Sequence, residues 1–100
     1  MSAPTATTAN LVRAYRDAVD FAVLAIEEDD QEAAEVAAAD RRRIAHTLTE
    51  QGQGWVSKLL IAEGRARVAF ATTPAADQPR FAGTIAARTE AVDRVLARCA

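Results

Sequence analysis

Between Pro4 and Gly52 the chain holds neither glycine nor proline. These two residues are the strongest punctuators of local structure, so a stretch this long without them is built for helix rather than for strands joined by tight turns. Composition supports this. Half of the residues are apolar, alanine leads among them, and only five are aromatic. Alanine is the best helix former but buries little surface, which favours close helix–helix contact over a deep ligand pocket.

Periodicity then orients the first helix. Leu11, Tyr15, Ala18, Ala22 and Ile26 step by three and four residues along one face, and Val12, Val19 and Val23 widen it. The stripe continues through Ala33, Val36, Ala37, Ile44 and Leu48, with Asn10 as a suitable N-cap. The pattern predicts one helix over 10–50, about 40 residues and about 60 Å long. The competing reading breaks it at Glu27–Glu32, where Asp29 and Glu32 have the spacing of a capping box. The fold would then be a bundle of four helices.

Gly52 and Gly54 end the first helical region. A second helix is expected from Trp55 to Ala71. It has apolar residues on two sides: Trp55, Val56, Leu59, Ala62, Ala66, Ala69 and Phe70 on the main face, Ile61 and Val68 opposite. Glu63 interrupts the main face and needs a partner there. Two prolines make 72–80 a loop, and a last helix runs from Phe81 to Arg98. The expected fold is all-α: a long N-terminal helix with two shorter helices packed back on it as a helical hairpin or bundle. Residues 1–9 are read as a flexible arm and 10–100 as a single helical domain.

Charge is unevenly distributed. Residues 10–40 carry a net −7 and residues 41–67 a net +4, within an overall formal charge of −2. An acidic first third beside a basic middle is the pattern of complementary surfaces, within one chain or between copies. The other reading is solvated helix faces. Asp29 and Asp40 fall on the apolar stripe, where they either meet arginines across an interface or mark where the stripe reaches solvent.

Residues suited to catalysis are sparse. The single histidine, His46, falls on the solvent side of the first helix, and the residue three before it is Arg43 rather than the glutamate of a carboxylate-bridged metal site. The acids from Glu27 to Glu32 lack the glycine turn of a calcium loop. Cys99, the one cysteine, lies on the apolar side of the last helix with no base to activate it. No phosphate loop or dinucleotide fingerprint occurs. The expectation is a protein that is not an enzyme and takes no cofactor, metal or small-molecule substrate. With no leader-like start and no bilayer-length apolar run, it is expected in the cytoplasm or in a soluble particle, away from membranes.

Two resemblances bear on function. Residues 43–60 (RIAHTLTEQGQGWVSKLL) resemble a DNA-binding helix-turn-helix, with Ile44, Ala45 and Leu48 in the first helix and Val56–Leu60 in the second. That resemblance implies phosphate contacts from Arg41, Arg42, Arg43, Arg65 and Arg67, and base-edge contacts from Ser57 and Lys58. Thr49 and Glu50 stand where the motif has glycine and an apolar residue, and the spacing from Leu48 to Val56 is one residue long. Length, acidity and a central tryptophan are also similar to small secreted helical hairpins with a Trp-x-Gly turn, but the triplet here is Trp55-Val56-Ser57.

The leading expectation is a small, non-enzymatic assembly or adaptor protein acting through protein–protein contacts, as a homo-oligomer or as a subunit of a larger particle. Its interface is expected at Trp55, Leu59, Ile61, Val68 and Phe70, since large apolar side chains dominate interface energy. The alternative is a small helix-turn-helix-like DNA-binding regulator using residues 43–60.

Overall fold

The computed structural model describes residues 3–99, and among them every regular element is a helix. The order is α1 (Ala6–Glu27), α2 (Gln31–Glu50), α3 (Gly54–Thr72), a 3₁₀ turn (Gln78–Phe81) and α4 (Ala82–Arg98). The all-α expectation holds, but the 10–50 helix is two helices, broken within the acidic run. A single 60 Å rod would exceed the longest dimension of the molecule, 40 Å.

The break has a local cause. Continuing α1 would stack Glu27, Glu28, Asp29, Asp30 and Glu32 as like charges three and four residues apart on one helix. Instead Asp29 turns into the left-handed region at φ 54°, which aspartate tolerates better than most residues. The amide of Asp30 then donates to the Ala25 carbonyl (2.8 Å) and that of Asp29 to Ile26 (3.2 Å), closing a Schellman motif. Asp30 caps α2 by accepting from the Ala33 amide at 3.0 Å. The cap therefore falls at Asp30, one residue after the expected Asp29.

The N-terminal boundary also differs from expectation. α1 starts at Ala6 rather than Asn10, because Thr5 and Thr8 form a reciprocal capping box: the Thr8 amide donates to Thr5 Oγ1 (3.2 Å) and the Thr5 amide to Thr8 Oγ1 (3.0 Å). Thr8 and Ala9 are buried, so residues 6–9 of the expected flexible arm belong to the packed helix. Residues 1–2 of that arm lie outside the described residues. At the other end of α2, Gly52 takes φ 78°. A second Schellman motif closes there through Gln53 to the Leu48 carbonyl (2.8 Å) and Gly52 to Thr49 (3.1 Å).

The helices form two thin, staggered layers. α1 packs along α2; α3 lies against both of them and also against α4, whereas α4 touches α1 only lightly. The shortest dimension over Cα atoms is 16 Å, about what two helix layers at 8–10 Å spacing require. The core is Val12, Tyr15 and Val19 from α1, Ile44 and Leu48 from α2, Val56 and Leu60 from α3, and Val92 and Val95 from α4. α1 and α3 approach closely at Gly64, where a Cβ would stand 3.1 Å from Val19 Cγ2 and 3.4 Å from Tyr15 Cε1. The partner that Glu63 needs is Arg16, which also reaches Asp93 and the Thr89 carbonyl and so joins α1, α3 and α4.

Candidate functional site

The α1–α2 hairpin has two distinct sides. At 100° per residue, Ala38, Arg41, Arg42 and Ala45 share one side of α2, while Val36, Asp40 and Arg43 lie on the opposite side. On α1, Tyr15 points one way and Ala14, Asp17, Phe21 and Leu24 the other.

The first side forms a groove. Its walls are α2 and α3 and its floor is Tyr15 of α1; the volume is about 470 Å³ and the lining includes Arg41, Arg42, Ile61, Arg65 and Val68. Floor and walls are apolar, and the three arginines supply its charge. None of the three makes an ion pair among the described residues. Tyr15 is 5 % exposed. Burial pushes its hydroxyl above the usual tyrosine range, while Arg41 and Arg65 pull it back and Glu63 adds to the rise. The phenol is thus a neutral donor at the base of a positively charged, half-apolar cleft.

The second side is an exposed ridge. Phe21, Leu24 and Val36 are 47, 46 and 53 % exposed, the large hydrophobic residues most open to solvent among the described residues. Phe21 is flanked by Asp17 and Asp40 toward one end and by Asp30 and Glu32 toward the other. Arg43 on this side pairs with Asp40 at 3.1 Å, and Asp17 and Glu32 have no basic partner among the described residues. Asp40 therefore marks an edge where the stripe meets solvent, and Val36 faces outward instead of joining the core.

A second groove, of about 880 Å³, lies between the C-terminal half of α1 and α4, with Phe70 of α3 in its lining. Val23 and Ile85 add apolar surface, and the acids Glu27, Glu90 and Asp93 outnumber the one base, Arg67, along it, with Glu90 and Asp93 paired to Arg94 and Arg16.

The five residues expected to form one interface are dispersed. Trp55, Leu59 and Ile61 are half-buried and pack against the core. Ile61 and Val68 also line the basic groove, whereas Phe70 lines the second groove on another side of α3. The two apolar faces of α3 are real, but α1, α2 and α4 already cover much of both. Trp55 Nε1 is enclosed without a hydrogen-bond partner among the described residues.

The helix-turn-helix contacts are likewise only partly assembled. Ser57 is 5 % exposed, so it faces the core and is withdrawn from any base edge. Arg67 is held by Asp20, and Arg43 sits on the ridge, away from Arg41 and Arg42. α3, placed where a recognition helix would project, is packed on α1, α2 and α4. Arg41, Arg42 and Arg65 do converge on one groove, and Lys58 is exposed on the same side of α3 as Arg65, two turns away.

Of the residues weighed for chemistry, His46 is exposed and contacts Glu50. Cys99 packs against the core, with its thiol donating to the Val95 carbonyl at 3.3 Å. Among the described residues no cluster of three metal-ligating side chains occurs, and no helix is long and apolar enough to cross a membrane. Comparison with protein-family models, curated proteins and solved structures gave no match.

Proposed function

We propose that this protein is a small, non-enzymatic assembly protein that works by protein–protein contact through the outer face of its α1–α2 hairpin. One observation carries this reading: Phe21, Leu24 and Val36 stand about half exposed on neighbouring helices, on a molecule only 16 Å thick. Single exposed hydrophobic residues are ordinary, but a contiguous apolar patch rimmed by polar groups is the usual mark of an interaction surface. The interface moves, in this proposal, from the α3 residues expected from sequence to the hairpin.

The test is sedimentation velocity of the wild-type chain over a concentration series, repeated with Phe21→Arg. The reading expects a mass that rises with concentration in the wild type and falls to that of a monomer in the variant. Duplex DNA is included in a parallel cell. Salt-sensitive co-sedimentation with DNA, without self-association, would favour the DNA-binding alternative through Arg41, Arg42, Arg65 and Lys58.

A further inference from the structure

We propose that the basic groove between α2 and α3 receives the acidic, apolar ridge of a second copy of this chain, giving a head-to-tail contact. This rests on the assembly reading above and names the surface that the ridge meets.

Three observations support it. The first is exposed apolar surface: Phe21 and Val36 stand about half exposed on the ridge, and the groove is a cleft of about 470 Å³ whose apolar lining includes Ile61 and Val68. The second is charge. Asp17, Asp30 and Glu32 lie around Phe21 without a basic partner among the described residues, beside an Asp40 that Arg43 neutralises, while Arg41, Arg42 and Arg65 surround the groove without acidic partners among the described residues. Unlike surfaces attract and like surfaces repel, so ridge-to-groove is favoured over ridge-to-ridge and groove-to-groove. The third is placement. Val36 and Asp40 lie on the side of α2 opposite Arg41 and Ala45, so one chain cannot fold its own ridge into its own groove.

A contact between two different surfaces is heterologous. It leaves a free ridge at one end and a free groove at the other, and so propagates into a ring or an open chain instead of stopping at a two-fold dimer. Charge also makes the contact sensitive to salt, because the screening length falls from about 10 Å at 0.1 M to about 3 Å at 1 M.

Complementation tests it. A ridge-blocked variant carries Phe21→Arg and Val36→Arg; a groove-blocked variant carries Arg42→Glu and Arg65→Glu. All four positions are exposed, and circular dichroism checks that both variants keep the wild-type helicity. Each variant alone should be monomeric, with association weakened by at least about tenfold. An equimolar mixture should form a dimer and nothing larger, because it holds one intact ridge and one intact groove. High salt should dissociate that dimer. If the groove-blocked variant still associates as the wild type does, or the mixture stays monomeric while the wild type assembles, the ridge-to-groove contact is wrong although assembly itself stands. If the wild type is monomeric at all concentrations, the assembly reading fails first.

Discussion

Arg16 on α1 grips Glu63 on α3 through two hydrogen bonds, Nε to Oε1 at 3.0 Å and Nη2 to Oε2 at 2.6 Å. Glu63 is only 2 % exposed, and the same guanidinium reaches Asp93 on α4 at 2.8 Å. The bidentate geometry fixes orientation as well as distance. Hydrogen bonds donated to the Glu63 and Asp93 carboxylates also hold the guanidinium charged, raising its pKa against a smaller opposing effect of burial.

Removing one partner and removing both should have different effects. Arg16→Ala leaves an uncompensated buried carboxylate and is expected to cost about 3–5 kcal/mol. Arg16→Met combined with Glu63→Leu removes both charges and should fall within about 1 kcal/mol of the wild type. Urea unfolding of the two variants checks this. Because the pKa of Arg16 rises from an already high value, its contribution is complete below the unfolded arginine pKa and is lost only above it. It should therefore produce no pH dependence between neutrality and the onset of tyrosine ionisation.

That onset provides a second prediction. Tyr15 is the only tyrosine, so tyrosinate absorbance reports on one site. Its midpoint in the folded protein should lie above the ordinary value of about 10, with burial as the main cause. The folded state holds this proton more tightly than the unfolded chain. Stability is therefore unaffected below about pH 10 and falls as pH rises beyond it toward the folded pKa. Arg65→Ala should raise the midpoint further, because it removes one of the charges that opposes burial.

The hairpin turn is open to a direct test at Asp29. Its φ of 54° is tolerated by aspartate but free of strain for glycine. Asp29→Gly should stabilise by about 0.5–1 kcal/mol, while Asp29→Val should destabilise by more than that. Thermal melting reads both, since about 1 kcal/mol shifts the midpoint by roughly 4–8 °C in a domain of this size.

Thr5 sets the other end of α1. Thr5→Ala removes the oxygen that accepts from the Thr8 amide and should cost about 1 kcal/mol. Amide hydrogen exchange should show the loss confined to the first turn of α1.

Particular residues show what the sequence could and could not reveal. The glycine-free run correctly announces helix, and Gly52 correctly ends it, because both signals are local backbone properties. The break at Asp29–Asp30 was readable as a possibility only. Helix propensity alone permits the run; the like charges and the cap at Asp30 favour a break there, and packing two helices side by side adds a buried core that one rod cannot. Ser57 looked accessible at the start of α3, yet it faces inward because α1 and α2 occupy that side, a tertiary fact that no local pattern carries. Phe21 and Leu24 do carry a local signal. Ala14, Asp17, Phe21, Leu24 and Glu28 step by three and four residues along a second face of α1, beside the main stripe.

Sedimentation of the wild type beside Phe21→Arg decides whether the hairpin ridge seeks a protein surface. A ridge that binds protein gives concentration-dependent growth beyond the 10.7 kDa monomer, abolished by the substitution at unchanged helicity. A wild-type chain that stays at monomer mass across the series, or a Phe21→Arg variant that assembles just as well, would contradict it.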